Sequence, residues 1–129
     1  MTKNCKYVAL KNYIPQGLPS EDDFEIKTKE IKLNNKNNIH VLNSWISVDP
    51  YMRARMTERK NYKPPFKLGE EMEGYAIGSV QESDDDNFKI GDTVFSNFGM
   101  RDNFVCNSDQ LKKIPSTDLP IQSYLGPLG

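Results

Sequence analysis

Three glycines, Gly69, Gly74 and Gly78, punctuate LGEEMEGYAIGSVQES at short intervals, directly after the double proline of YKPPF (Tyr62 to Phe66). Two consecutive prolines exclude regular helix. Glycine inside a strand pattern marks bulges, sharp bends or close approach of two backbones, which a small barrel needs at its corners. The centre of the chain therefore has to fold as short, sharply turned strands.

The flanking segments read the same way. CKYVALKNY alternates around Tyr7, Ala9 and Tyr13, the period of a half-buried strand, and that strand is expected to end at Pro15. Pro15, Gly17 and Pro19 predict a surface loop. Phe24, Ile26, Ile31 and Leu33 resume the alternation, and the polar run KLNNKNNIH (Lys32 to His40) predicts a hairpin turn. IHVLNSWISV is dense in β-favouring residues and predicts a long buried or bulged strand. Asp49-Pro50 ends it and opens a short helix through YMRARMTER, with Tyr51 and Ala54, and Met52 and Met56, at helical spacing. Asp84 to Asn87 make a solvated turn, Gly91-Asp92 feeds a strand from Thr93 to Phe98, and NFVCNSDQLKKI supplies one more. Six to eight short strands and one short helix define a mainly β chain, a small barrel or sandwich.

A chain of 129 residues forms one domain with its own core. Its 17 basic and 18 acidic side chains leave a net charge of −1 and no broad attraction for a polyanion, so nucleic acid is not an expected partner. Cys5 and Cys106 lie far apart without CxxC spacing and read as free thiols in a reducing compartment. No apolar run reaches the length of a membrane span, and MTKNCKYVAL is too polar and short for a secretory signal. A cytoplasmic protein with no membrane partner is expected.

Two chemistries are disfavoured by what the residues lack. Holding a dinucleotide takes a strand, a glycine-rich turn and a helix facing the pyrophosphate, and GxGxxG occurs nowhere. A catalytic zinc takes three protein donors and a structural zinc four. With His40 the only histidine and two distant cysteines, neither is expected, and His40 beside the asparagine turn reads as a surface residue.

SVDPYMRARM, YKPPFKLGEEMEGYAIGSV, FKIGDTVF and SYLGPLG follow one another in that order. Together they resemble the N-terminal, GroES-like domain of the zinc-independent medium-chain dehydrogenase/reductases, in particular the prostaglandin and leukotriene reductase branch of NADP-dependent 2-alkenal and enone reductases. The resemblance runs from about Ser44 to Gly129 and weakens before it. It implies a partly open β-barrel with one or two short helices, residues 1–129 being the substrate-side domain. In the family a segment like Leu125 to Gly129 leads into a Rossmann NADP-binding domain, which is expected to be absent from this chain. The resemblance implies that the full-length protein passes hydride from NADPH to an enone, aldehyde or quinone without zinc, and forms a homodimer. The isolated chain is expected to bind NADPH poorly and to be inactive.

The same resemblance assigns candidate residues. Asp49, Pro50, Tyr51 and Met52 lie beside the nicotinamide end of the cleft; equally, Asp49 caps the following helix and Pro50 occupies its first turn, an arrangement worth about 0.5 to 2 kcal/mol. Tyr62 matches a pocket-lining tyrosine whose phenol can donate a hydrogen bond to the substrate carbonyl as an enolate forms; its alternative is to pack on Pro64 or Pro65. Phe98, Gly99 and Met100 match a loop at the edge of the substrate pocket, where Met100-Arg101 replaces a tryptophan common in similar proteins. Arg53, Arg55, Arg59 and Lys60 either face a cofactor phosphate or are solvated on a short exposed helix, the commoner case. Where zinc-dependent relatives carry Gly-His-Glu this chain has Gly69-Glu70-Glu71, and carboxylate catalysis by Glu71 and Glu73 is not expected. The rival readings are a stand-alone GroES-like binding or co-chaperonin-type module and an oligonucleotide-binding barrel.

Overall fold

The computed structural model describes residues 2–33, 37–48, 51–57 and 64–114. Seven strands are present, β1 (Thr2–Leu10), β2 (Phe24–Lys32), β3 (Asn38–Ile46), β4 (Ala76–Ser83), β5 (Thr93–Ser96), β6 (Asn103–Asn107) and β7 (Lys112–Lys113). A single α-helical turn, α1 (Tyr51–Ala54), and two 3-10 turns at Glu21–Asp23 and Ser108–Gln110 complete the described elements. The chain is mainly β, as the alternation and glycine pattern require.

β1 and β2 form an antiparallel ribbon, and the other strands form a sheet of order β6-β3-β4-β5-β7, every pair antiparallel. The free side of β1 bonds to the segments that lead into β4 and β6 of the second sheet. Val8 N–H donates to Met100 O at 2.8 Å, Asp102 N–H to Lys6 O at 3.0 Å, Met72 N–H to Val8 O at 3.2 Å and Gly69 N–H to Leu10 O at 3.0 Å. These bonds curl the sheets into a partly open barrel.

One of the expected corners comes from close backbone approach. A Cβ at Gly78 would stand 2.5 Å from Leu42 O, and β3 shifts register against β4 on either side of that contact. The expected bulged strand is therefore β3, bent where β4 has no side chain to hold it off. Inside, Ile39, Val41, Val80, Val94, Phe104 and Cys106 fill one cluster, while Leu10, Ile14, Met52, Met56, Phe66 and Met72 fill another around α1. Cys5 and Cys106 are both buried free thiols, and burial pushes Cys106 up to about 12.

Four sequence expectations are corrected. β1 ends at Leu10, not Pro15, because Lys11 N–H turns to Asp23 O and Ile14 N–H to Met56 O, carrying the chain over the helix-side core. The polar run after β2 is not a hairpin, since β2 pairs with β1 while β3 pairs with β4 and β6. His40 is not on the surface: it is 5% exposed, with Nε2 2.8 Å from Asn103 Oδ1. Arg55 is not solvated either, being 6% exposed between Pro64 O and Glu73.

Candidate functional site

Segments flanking the sequence candidates meet at a polar cleft of ≈ 510 Å³. Arg55, directly after α1, forms part of its wall, with Pro64 and Pro65 following Tyr62, Phe98 from the loop after β5, and Glu70, Glu71 and Glu73 from the segment before β4. Phe66 presents an aromatic wall under the Arg55 guanidinium, whose carbon lies 4.3 Å from the ring centroid. Arg55 Nε donates to Pro64 O at 2.8 Å and Nη2 to Glu73 Oε1 at 3.0 Å, so one buried side chain ties the residues after α1 to two other walls.

Across the cleft, Glu71 sits between two cations. Lys29 Nζ donates to its Oε2 at 2.6 Å, and Arg101 Nη1 lies 3.7 Å from the same oxygen. Burial works against the carboxylate, but the hydrogen bond and charge of Lys29, with Arg101 behind, hold Glu71 below the usual carboxylate range. An ionised, doubly held carboxylate is a poor proton shuttle at neutral pH. Burial also lowers Arg101 from its ordinary value against the pull of Glu71, and its guanidinium stays charged.

The loop from Phe98 to Asp102 is fixed at every carbonyl. Asn43 Nδ2 donates to Phe98 O at 2.9 Å and to Arg101 O at 3.0 Å. Arg101 Nε donates to Gly99 O at 2.9 Å, Val8 N–H to Met100 O at 2.8 Å and Asn43 N–H to Asp102 O at 2.9 Å. Within this frame Met100 has φ +56°, a left-handed backbone rarely taken by a residue other than glycine, asparagine or aspartate.

The structure separates the candidates of this loop. Phe98 lines the polar cleft and stacks on Phe104 with centroids 4.7 Å apart. Gly99 meets the Gly74 backbone. Met100 packs against the core cluster around α1 and borders a second, apolar groove of ≈ 370 Å³ with Val8, Ile26 and Ile46. Met52 is 2% exposed and its side chain belongs to the core. Asp49, Pro50 and Tyr62, with Arg59 and Lys60, lie outside the described residues, as does the side chain of Tyr51.

Residues 6–114 match the sequence profile of a family described as the N-terminal domain of oxidoreductase. The chain belongs to this family. It is 40% identical over 129 residues to the NADP-dependent 2-alkenal reductase of Nicotiana tabacum, covering 96% of this chain and 37% of the tobacco protein. It is 29% identical to the NADPH-dependent curcumin reductase of Escherichia coli strain K12, over 89% of this chain and 33% of that one. Among solved structures, CurA from Vibrio vulnificus superposes with a TM-score of 0.82 at 25% identity, over 93% of this chain and 35% of CurA. The same protein in complex with NADPH gives a TM-score of 0.79 at 25% identity, over 92% of this chain and 35% of that one. The chain thus spans about a third of the length of these relatives.

The described residues of this oxidoreductase N-terminal domain contain no cradle for a dinucleotide pyrophosphate. Among the described residues α1 has four residues and every paired strand is antiparallel, so no strand-turn-helix unit presents a helix end to a pyrophosphate. No group of three or more His, Cys, Asp or Glu placed to hold a metal occurs among them, and no helix there is long and apolar enough to cross a membrane. Sequence reasoning passed over Asn43 and treated Arg55 as solvent-facing. Asn43 carried a signal, a lone amide within the β-favouring run VLNSWI. For Arg55 the signal was absent, because its partners Pro64 and Glu73 come from a segment 9 to 18 residues away.

Proposed function

We propose that these residues are the substrate-side domain of an NADPH-dependent reductase of α,β-unsaturated carbonyls or quinones, and that the nucleotide-gripping unit is carried by further polypeptide. The observation that carries this reading is the match of residues 6–114 to an oxidoreductase N-terminal domain, with no dinucleotide cradle among the described residues. Relatives named for 2-alkenal and curcumin reduction support the substrate class.

NADPH, when bound by the whole protein, supplies the hydride. The Tyr62 phenol donates a hydrogen bond to the substrate carbonyl oxygen and so stabilises the enolate oxygen as charge builds there. Asp49, Pro50, Tyr51 and Met52 line the nicotinamide end, Met52 through its backbone, since its side chain is buried. Phe98 supplies an aromatic wall, and the Gly99-Met100 backbone holds that wall in place. Metal-free chemistry rests on the donor set, a single histidine already engaged by Asn103 and two buried cysteines. The whole protein is expected in the cytoplasm as a homodimer, and the isolated chain is expected to be inactive.

The test is a chimaera in which residues 1–129 replace the matching N-terminal third of the tobacco 2-alkenal reductase. The proposal predicts NADPH-dependent reduction of a 2-alkenal that survives a metal chelator and falls about a hundredfold in Y62F. A folded chimaera that binds NADPH yet reduces neither enone nor quinone contradicts it.

A further inference from the structure

The loop from Phe98 to Asp102 is held more completely than an edge loop requires. Five consecutive carbonyls each accept a hydrogen bond, three of them from two side chains, Asn43 and Arg101. Arg101 is 7% exposed, so its charge has been withdrawn from water, which is costly unless geometry and partners compensate. Its partners come from three places. Nε takes Gly99 O in its own loop, Nη2 takes Met72 O at 3.1 Å in the segment before β4, and Nη1 faces Glu71. Its guanidinium carbon also stands 5.3 Å from the Phe98 ring centroid.

We infer that Arg101 is a positioning residue that sets the substrate preference of the cleft, by locking the loop on which Phe98 forms a wall. This inference rests on the reductase reading, because it assigns the cleft beside Phe98 to substrate. The backbone supplies the physical reason for a lock. Met100 at φ +56° is unfavourable by itself and relaxes unless its surroundings hold it. Released, it would turn Gly99 off the Gly74 backbone and move Phe98 with it. A forked guanidinium can brace Gly99 O and Met72 O together, whereas an ammonium offers a single charged point. Charge alone therefore does not account for arginine here.

Two measurements test this on R101K and R101Q. In the isolated chain, amide exchange at Gly99, whose N–H donates to Gly74 O at 2.8 Å, is followed beside that of Val80 in the central sheet, whose N–H donates to Asp92 O. The expected result is faster exchange at Gly99 by about tenfold or more in both variants, with Val80 unchanged. In the chimaera, kcat/KM is compared for a small 2-alkenal and a bulky aryl enone. Both variants are expected to change the ratio of the two by about tenfold, carried mainly in KM, lysine failing to rescue. S96A removes only the hydroxyl that accepts Phe98 N–H at 3.2 Å, and shifts the ratio in the same direction by less. An unchanged ratio in R101K and S96A overturns the inference, as does unaltered exchange at Gly99. An unmodified chimaera that is folded but inactive sinks the reductase reading instead, and leaves the exchange measurement to decide on the lock.

Discussion

Gly99 and Gly74 touch backbone to backbone: the Gly99 N–H donates to Gly74 O at 2.8 Å, and a Cβ on Gly99 would lie 2.7 Å from that same oxygen. The contact fastens the loop after β5 to the segment that enters β4. It also explains why Gly99 carries no side chain; a Cβ on Gly74 would meet instead the flexible end of Met52.

G99A forces two backbones apart where neither has a flexible end to yield. It is expected to destabilise the chain by about 1–3 kcal/mol, the range of an overpacked interior. Urea denaturation of wild type and variant measures it, and a loss of less than about 0.5 kcal/mol would mean that the contact is slack.

Glu71 ties the same loop to β2 through Arg101 and Lys29. Its carboxyl is held below the ordinary range, so the folded state favours the ionised form. That stability is fully present above the unfolded glutamate value of about 4.3, and is lost as pH falls through the lower folded value. E71Q is expected to cost about 1 kcal/mol at pH 7, and the gap between wild type and variant should close toward pH 3. A gap independent of pH would assign the loss to packing rather than charge.

His40 makes a prediction that needs no perturbation. Asn103 Nδ2 donates to Asn4 O at 3.0 Å and to Asp102 Oδ1 at 2.7 Å, which turns its Oδ1 toward His40. A ring nitrogen facing an acceptor must carry the proton, so neutral His40 is the Nε2–H tautomer, while buried Nδ1 has no hydrogen-bond partner among the described residues. Nitrogen NMR of the ring distinguishes the tautomers, and protonation at Nδ1 alone would show the Asn103 amide to be reversed.

The fold was legible where local rules carried it. Alternation at Tyr7 and Ala9, β-branched density through β3, and glycines at Gly74 and Gly78 each state a constraint that operates within a few residues. What could not be read came from distant partners. β2 and β3 abut in sequence as a hairpin does, yet β1 takes β2 across the connection 11–23, and β3 has both edges occupied by β4 and β6. Likewise the words DPY, YKPPF and FGM can be picked out of the sequence as candidates, while the groups that brace the polar cleft and its loop, Asn43, Arg55 and Arg101, act through carbonyls and carboxylates on other segments.

The most direct measurement is NADPH oxidation with a 2-alkenal, followed by absorbance for the isolated chain and for the chimaera side by side. The account predicts turnover by the chimaera alone, and no saturable NADPH binding or enone reduction by the chain. Reduction catalysed by these 129 residues alone would contradict the division of the site between two units.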